Sequence, residues 1–589
     1  MADEERCSKR DEYTKDGTVD LKGRACRRAK GGRWAACSFV LVSEALERLA
    51  YYGIASNLIL YLTDVLHQGT VTSSNNVTNW MGTVMMTPIL AAFIADAYLG
   101  RYWTCIISFV IYFLGMSLLI LTASLPALRP PPCHSSKDEG CKNLTQRFQI
   151  TLFYSALYTI AFGVAGSKAN CVALGAEQFD NFEPKERAQK MSFFNWRAFA
   201  ISLGNLFATI VLIYIESNVS WLLGYAIAGA ALAISILVFI LGTPLYRHKV
   251  PSGSPFTRIA QVLVAATRKW RVPLPDQDSI NDLHELDSEL HLKQNKSRNN
   301  QTIFSSILKF FDKAAVKTNS SSSSSSSDSP WMFCPFSQVE ETKQIIRLFP
   351  MFIITIMPSV MVAQVLTLFI KQGTTLDQNL TGLHFKLPPA NLSAVFVLSI
   401  LVGAAAYDRF FVPVARKHTN NPRGLTFLQR IGIGLAMHII IMLGTSLVER
   451  WRLGRARSLQ PPPNILILLP QFALMGIAEV FVAVGKMEFF YDQAPESMKS
   501  LGASFFTSSF GIGNFISTFL LTTVTKITAR DGGKGWVQDN LNSSHLDYYY
   551  AFLAGLNAIN LMLFLIVSKN YDYRSDDANS ALDQDKQGS

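Results

Sequence analysis

The chain has 589 residues, of which 49% are hydrophobic and only 16% are charged, and its mean hydropathy is +0.21. A soluble domain carries about 25% charged residues, so this composition excludes a multidomain soluble protein, a disordered chain and a coiled coil. The net charge of +11 would suit nucleic acid, but the basic residues are confined to particular segments, so we expect no nucleic-acid partner.

Apolar segments long enough to cross a bilayer occur twelve times along the chain. They lie near residues 36–62, 80–97, 103–123, 149–168, 193–215, 222–243, 343–370, 390–407, 427–448, 464–485, 500–525 and 548–567. The sequence therefore predicts an all-α, multi-pass membrane protein with twelve transmembrane helices. The polar and basic N-terminus shows no signal-peptide pattern.

A long polar insert divides these spans into six and six. We predict five parts, namely a cytosolic tail, a first bundle, a cytosolic linker, a second bundle and a second cytosolic tail: 1–33, 34–243, 244–342, 343–567 and 568–589. Within the linker, residues 256–270 predict a basic amphipathic helix, which lies either on the inner leaflet or against the bundle. The eight serines at 320–327 indicate a flexible linker or a phosphorylation tract.

Most Lys and Arg residues fall in the segments that lie in the cytosol if both termini do. One segment disagrees, because ERWRLGRAR (449–457) is then an outside loop with four arginines. Five glycosylation sequons fall in the predicted outside loops and support this orientation: Asn76, Asn143, Asn218, Asn379 and Asn542. The charge bias suits a plasma membrane or a vacuolar membrane, and we favour the plasma membrane.

Two cysteines, Cys133 and Cys141, share one predicted outside loop, where they form a disulfide or remain two unpaired thiols. The eight cysteines contain no CxxC pair and no zinc-like spacing with histidine, so we expect no metal site. The sequence has no nucleophile elbow, P-loop, HExxH or dinucleotide fingerprint, so neither an enzyme nor a cofactor is expected.

Ionisable residues inside the predicted spans are the strongest functional signal, because each costs about 2.5–3.5 kcal/mol to insert. Glu44, Glu47 and Arg48 lie at i, i+3 and i+4 on one face of the first span. Because one arginine cannot neutralise two carboxylates, a second cation lies near them or one carboxylate holds a proton. Lys168, at the end of span four, is the candidate cation, and Glu479 lies in the middle of span ten.

A buried and only partly compensated carboxylate can take up a proton, so these residues suit proton coupling. The alternative is a structural ion pair that holds helices in register. Five charges on three spans favour the functional interpretation. Asp96 and Arg101 lie in a short turn between spans two and three, where they form a gate latch or a solvated turn.

These residues and several longer stretches resemble the plant nitrate-and-peptide transporter family, in the proton-coupled oligopeptide transporter branch of the major facilitator superfamily. The ExxER pattern of Glu44, Glu47 and Arg48 is a signature of that branch, and the turn with Asp96, Gly100 and Arg101 is typical of the superfamily. Further matching stretches are ERLAYYG (47–53), ADAYLGRYWT (95–104), GAEQFD (175–180), FFNW (193–196), QVEETKQIIRLFP (338–350), EFFYDQAPESMKSLG (488–502) and NLNSSHLDYYY (540–550).

The resemblance implies two six-helix bundles in the major facilitator fold and a proton symporter that works by alternating access, with protons as the coupling ion. It assigns proton coupling to Glu44, Glu47, Arg48 and Lys168. It assigns the substrate carboxylate to Arg48 and Lys168, and a peptide amino group to Glu479. The matching motifs also carry further substrate-site positions: Tyr51, Tyr52, Ser202, Val362 and Gln364.

Several positions depart from the family pattern. Glu177 replaces the aspartate of GADQFD, Ser202 replaces an asparagine that contacts peptides, and Arg197 stands where an aromatic residue is usual. Val362 stands where a dual-affinity nitrate carrier has its nitrate-binding histidine. Thr104 aligns with a phosphorylated threonine of that carrier, which makes it a possible kinase site or merely a capping threonine.

We therefore predict a proton-coupled symporter that imports di- or tripeptides. The alternatives are a transporter of nitrate or another small plant metabolite anion, and a low-flux transceptor. The expected partners are a small solute, protons, the lipid bilayer and a kinase, and the protein is a monomer or a homodimer.

Overall fold

The structure is a computed structural model that describes the following residues: 13–28, 31–128, 147–180, 182–251, 253–272, 308–316, 329–379, 386–419, 424–530 and 535–571. They form two compact units. The first comprises Met1–Ser252, Ile353–Met487 and Phe506–Lys569, and the second comprises Gly253–Phe352, Glu488–Phe505 and Asn570–Ser589. The predicted disulfide cysteines Cys133 and Cys141, the sequon Asn143 and the serine tract lie outside the described residues.

Six long helices form the N-terminal half of the first unit. They are α1 (Arg33–Ala55), α2 (Thr70–Ile94), α3 (Arg101–Ser124), α4 (Arg147–Gly166), α5 (Pro184–Phe207) and α6 (Trp221–Leu241). Helix α1 packs against α5 and α6, and α4 packs against α2 and α3. We call the face at which α1 begins the tail side, and the face at which it ends the far side.

Helices α7 (Pro255–Arg268) and α8 (Phe336–Arg347) lie in the second unit; α7 belongs to the insert, and α8 runs from the end of the insert into the seventh predicted span. Helix α7 coincides with the predicted amphipathic segment. Its apolar residues Val262, Ala265 and Ala266 are buried against Phe311 and Ala314 of the same unit. Part of the apolar face of α7 is therefore covered by protein. The sequence analysis had allowed either the inner leaflet or protein as the surface that covers this face.

The remaining labelled helices belong to the C-terminal half, and all of them except the seven-residue α9 are long. They are α9 (Met357–Ala363), α10 (Ser393–Ala406), α11 (Phe427–Arg457), α12 (Leu469–Gln493), α13 (Lys499–Thr528) and α14 (Leu546–Lys569). Shorter α-helical segments are Leu58–Leu60, Val172–Ala176, Ile213–Asn218, Phe349–Ile354, Leu368–Gly373 and Val412–Thr419. Turns of π-helix occupy Tyr61–Val65, Ala95–Leu99, Ser167–Cys171, Ala208–Leu212 and Tyr407–Phe411, and 3-10 turns occupy Thr243–Leu245, Phe310–Ala315, Pro389–Leu392, Ile465–Leu468 and Glu496–Met498.

Ten helices of the described chain are long and apolar enough to cross a membrane, and an eleventh span is the pair Phe336–Ile354 and Met357–Gly373, bent by 44°. The one predicted span outside this set is α1, the first along the chain. Its three central charges lower its apolar character. The all-α architecture is thus confirmed.

Three placements from the sequence are wrong. Residues 449–457 are not a loop but the last turns of α11. Lys486 does not follow span ten but lies inside α12. Asn76 is not in a loop but in the second turn of α2, where its amide donates to Gln68 Oε1 and to the Tyr154 hydroxyl.

Candidate functional site

The two carboxylates of the first-span motif have different partners. Glu44 accepts two hydrogen bonds from the guanidinium of Arg197 on α5, at 2.7 Å from Nε and 2.9 Å from Nη2. The Glu44 side chain is 2% exposed. Arg197 is therefore a cation of this motif that the sequence analysis did not assign, in addition to Lys168, which lies near Glu47. Because the pair of Glu44 and Arg197 is bidentate and its carboxylate is buried, it holds α1 against α5 and neutralises the charge of Glu44.

Glu47 lacks such a partner. Its closest cation is Arg48 of the same helix, with 3.4 Å between Arg48 Nε and Glu47 Oε2. Neither carboxylate oxygen accepts a hydrogen bond of normal geometry, although both are buried. Ser167 and Lys168 are further polar neighbours. Glu47 is consequently the carboxylate of this motif that has no bidentate partner among the described residues.

Lys168 lies in the π-helical turn Ser167–Cys171, where α4 continues past Gly166. Its ammonium group lies 4.1 Å from the centroid of the Tyr51 ring and 3.9 Å from Met85 Sδ. Gly166 brings this turn close to α3, because a Cβ there would clash with Ser108 Oγ. Across the parts of the chain that are described, Lys168 forms no ion pair, so its charge is available to an anion.

One tyrosine contacts this lysine, and a second packs against the first. The buried Tyr51 ring stacks on Trp80 with 5.8 Å between centroids, and Tyr52 meets it edge-on at 5.0 Å. Tyr52 is half-buried. Aromatic faces stabilise a cation without neutralising it, so the predicted substrate-side role of both tyrosines is compatible with their positions.

The C-terminal half contributes Glu479, in the middle of α12. Its side chain is buried, and neither carboxylate oxygen has a hydrogen-bond partner among the described residues. Lys486 follows two turns later on the same helix and is fully buried. The sequence analysis missed Lys486 because it lies one residue beyond the predicted span.

The remaining predicted substrate positions are Ser202, Val362 and Gln364, and none of them is charged. Ser202 on α5 is half-buried. Val362 on α9 is half-buried and packs on the core of the C-terminal half. Gln364 is buried, and its amide already donates to Val360 O and Ser517 Oγ. Gln364 therefore has to release these bonds before it can donate to a solute.

The predicted turn between α2 and α3 forms an ion-pair cluster on the tail side. Gly100 adopts φ +74°, a conformation that favours glycine. Arg101 lies 3.7 Å from Asp96 and also forms a close ion pair with Glu177, the residue that departs from GADQFD. Thr104 is buried and donates to Gly100 O at 2.9 Å. Phosphorylation of Thr104 stays a prediction, and it requires this helix start to open.

A second cluster on the tail side was not predicted. Asp180 accepts from the Lys15 amide and from Arg28 of the N-terminal segment, at 2.8 and 3.0 Å. Glu186 binds Arg33 and Arg247 at 2.9 Å each. Burial alone would raise the pKa of Asp180, but these hydrogen bonds, with that of the Phe182 amide, lower it below its usual value. The only sequence signal for this cluster was the stretch GAEQFD (175–180), which contains Asp180.

The halves are bonded to each other on the far side. Asp539 accepts from the Thr70 amide at 2.9 Å, so a carboxylate of the C-terminal half caps α2 of the N-terminal half. Further bonds join Asn75 to Thr522 at 2.8 Å and Thr78 to Thr518 at 2.6 Å. Lys371 lies 3.9 Å from Asp64. Helices α2 and α13 also approach closely, because a Cβ at Gly82 would lie 3.1 Å from Gly511 O.

The other sequons differ in exposure. Asn218, Asn379 and Asn542 are exposed. Asn542 accepts from Arg452 through Oδ1, which leaves Nδ2 for a glycan. Glycosylation of these residues and of Asn76 stays a prediction.

Comparison with known proteins supplies the family. The model "PTR2: POT family" matches residues 102–537. The chain is 51% identical to Protein NRT1/PTR FAMILY 5.2 of Arabidopsis thaliana over 578 residues, which cover 97% of each chain. It is 43% identical to Protein NRT1/PTR FAMILY 8.1 of the same plant, over 96% of this chain and 98% of the relative.

Solved structures show the same fold. An auto-inhibited POT family peptide transporter matches with a TM-score of 0.68 and 19% identity, over 92% of this chain and 98% of that one. A POT family transporter in complex with 5-aminolevulinic acid matches with a TM-score of 0.60 and 15% identity, over 91% and 96%. The predicted major facilitator fold is confirmed, and the family is one of transporters, not enzymes. The chain belongs to the POT family of membrane transporters.

Proposed function

We propose that this protein is a proton-coupled symporter of a small carboxylate-bearing solute, with di- and tripeptides as the first substrate class. The observation that carries the proposal is the contrast between two neighbouring carboxylates. Glu44 is held by Arg197, whereas Glu47 is buried with only a loose contact to Arg48. A single buried carboxylate that can exchange a proton, next to two cations, is the minimum that this coupling needs.

The coupling follows from electrostatics at this cluster. When Glu47 takes up a proton, Arg48 and Lys168 lose their nearest negative charge and attract the carboxylate of a solute. When the proton leaves, the Glu47 carboxylate competes for the same cations and the solute is released. Burial strengthens both effects, because the charges interact through a medium of low dielectric constant. Proton and solute thus bind together and leave together.

Glu479 suits the amino group of a peptide, because its buried carboxylate has no hydrogen-bond partner among the described residues. A zwitterion then has one charge for each half. The second candidate substrate is nitrate or another small metabolite anion. It is favoured by Arg48 and Lys168, two cations that need only an anion, and by Val362, which provides no group for an amine or an amide. A nitrate site of this kind does not use a histidine at residue 362.

Alternating access gives the far-side bonds their role. With both termini in the cytosol of a plasma-membrane protein, the far side faces outward, and the bonded halves close that side. The described conformation is then one in which the solute pathway is shut towards the outside. Opening it requires the bonds of Thr70, Asn75 and Thr78 to break.

The test is current and uptake in oocytes that carry the full-length protein, at acidic and neutral external pH, with a dipeptide mixture or with nitrate. We expect inward current with peptide that grows as the medium becomes acidic. Glu47→Gln should lose proton-driven accumulation and retain exchange of solute across the membrane, because the cations remain. Glu341→Gln, in the insert, is the matched control and should behave as wild type. Normal pH-dependent accumulation in Glu47→Gln overturns the coupling role, and current with nitrate alone replaces peptides by the second candidate.

A further inference from the structure

Lys486 is a buried cation that the coupling scheme does not use. It lies seven residues after Glu479 on α12, which places both on the same helix face, about 10 Å apart along the axis. Its ammonium group is 3.8 Å from the centroid of the Phe510 ring and 5.3 Å from that of Phe506, with Ser359 Oγ at 3.5 Å. Across the described part of the chain, it makes no ion pair. Two aromatic rings of α13 therefore enclose a charge that no carboxylate touches.

Glu479 and Lys486 are each the other's main opposite charge. When the pair holds one proton, its net charge is zero on whichever group that proton lies, because an ionised pair and a pair of neutral groups both sum to zero. The other titratable group facing Lys486 is His438 on α11. Arg430 of the same helix lies over the Tyr407 ring at 4.5 Å.

This neutrality changes the charge that a solute has to supply. In the N-terminal half, Glu44 and Arg197 cancel each other, which leaves Glu47, Arg48 and Lys168. These three sum to one positive charge when Glu47 is ionised and to two when it holds the coupling proton. A lone, ionised Glu479 would remove one of these charges and attract the amino group of a zwitterion, whereas a neutral pair leaves the whole balance to the solute.

We propose that Lys486 is a specificity-determining positioning residue, which cancels the charge of Glu479 and directs the site towards solutes of net negative charge. Such solutes are peptides with a blocked amino group, acidic peptides and organic monoanions. The inference rests on the proposed function and narrows its substrate class. Lys486 acts through Glu479 and need not touch the solute.

The test compares two probes of nearly equal size, dialanine and N-acetyl-dialanine, as competitors of proton-driven uptake by the full-length protein. Wild type should prefer the acetylated, anionic probe. Lys486→Gln should shift the ratio of the two affinities towards dialanine by about tenfold, as expected for one unit charge at about 10 Å with an effective dielectric constant of about 20. Glu479→Gln/Lys486→Gln should restore the wild-type ratio, because the pair is again neutral. Lys526→Gln, at the exposed end of α13, is the matched control.

A purely structural lysine would lower the uptake of both probes together and leave their ratio unchanged, and that result overturns the inference. If Lys486→Gln does not fold, Lys486→Arg should keep the wild-type ratio, and the double variant still reports on neutrality. If wild type transports neither probe, the proposed function fails. Thermal-shift binding of the same probes to purified full-length protein then decides the inference, and equal shifts for both probes overturn it.

Discussion

Arg197 and Glu44 form a two-point salt bridge between α5 and α1, with N–O distances of 2.7 and 2.9 Å. The two residues are 153 positions apart, and both belong to spans. This pairing gives the two carboxylates of the first-span motif different surroundings: Glu44 is held by Arg197, and Glu47 is the carboxylate to which we assign the proton in the proposed function.

Arg197→Gln should therefore lower both the stability of the protein and its transport, although Arg197 is not one of the proposed substrate cations. It leaves Glu44 buried without its counter-ion. Breaking a fully buried pair costs about 3–5 kcal/mol, and the cost is lower here because the Arg197 side chain is 20% exposed. We expect a lower melting temperature of the purified protein and little proton-driven uptake. The measurement is thermal unfolding in detergent together with uptake per molecule at the surface.

The double variant Glu44→Gln/Arg197→Gln separates charge from shape. It removes both ions, so most of the lost stability should return, and the proton dependence should remain because Glu47 is intact. A double variant as unstable as the single one would contradict a charge-based role for this pair.

Tyr51 offers a test of how Lys168 is held. Tyr51→Phe keeps the ring below the ammonium group and removes a hydroxyl that has no hydrogen-bond partner among the described residues. It should transport like wild type. Tyr51→Leu removes the ring face, and a cation–π contact of about 0.5–2 kcal/mol corresponds to a KM that is about 2- to 30-fold higher.

The control is the same change in a Lys168→Gln background, where no cation lies over the ring. There, Tyr51→Leu should add little to the effect of Lys168→Gln. An equal loss in both backgrounds would mean that Tyr51 acts only by packing on Trp80.

The sequence predicted the spans because hydrocarbon thickness imposes a length of about 20 apolar residues. It failed where helices continue beyond that length. Helix α11 runs to Arg457 because Glu449 and Arg452 neutralise each other inside it. Lys486 was assigned to a loop because of its charge, whereas in the fold the rings of Phe506 and Phe510 on α13 enclose it.

The candidate site was predicted to the extent that it lies within one helix. The face shared by Glu44, Glu47 and Arg48 follows from helical spacing alone. The partner of Glu44 could not be predicted, because it depends on how α5 is rotated against α1. For the same reason, the sequence alone could not place Lys168 over Tyr51.

Asp180 fixes the N-terminal segment, and its lowered pKa determines the pH range in which it does so. A folded-state pKa below the unfolded value of about 3.9 stabilises the fold above that pH and ceases to do so as the pH falls through the folded pKa. Between about pH 5 and pH 8 the contribution is constant. We therefore expect Asp180→Asn to leave the pH profile of uptake unchanged.

The same variant should loosen residues 13–28. Losing a hydrogen bond to a charged group costs about 1.5–3 kcal/mol, so tryptic cleavage after Lys22 and Arg24 should accelerate about tenfold or more. Glu183→Gln is the control, since Glu183 also binds Arg28 but is 32% exposed, and its effect should be smaller. Equal cleavage of wild type and Asp180→Asn would contradict this anchoring role.

Glu449 and Arg452 form a buried pair that we expect to serve stability only. Their N–O distances are 2.6 and 2.8 Å, and Gln372 donates to the same carboxylate at 2.8 Å. Glu449→Gln should destabilise the protein by about 3–5 kcal/mol and leave the KM of the folded fraction unchanged. Arg450→Gln, on the exposed side of α11, should have no effect on the melting temperature. A changed KM in Glu449→Gln would place this pair in the transport pathway instead.

Asp539 should control how often the far side opens, because its carboxylate caps α2 of the opposite half through the Thr70 amide. Removing a helix cap costs about 0.5–2 kcal/mol, so Asp539→Ala should raise the ratio of open to closed molecules by about 2- to 30-fold. Spin labels at the exposed positions Leu125 and Leu459, one in each half, report this opening as a population at longer distance.

Asp377→Ala is the matched control, because Asp377 also lies on the far side but accepts from Asn379 of its own half. It should leave the distance distribution unchanged. Asp539→Asn keeps an acceptor oxygen and should fall between wild type and Asp539→Ala. If Asp377→Ala and Asp539→Ala shift the distance distribution equally, the bond between Asp539 and Thr70 does not control closure of the far side. The close contact between α2 and α13 at Gly82 and Gly511 would then be the feature that closes it.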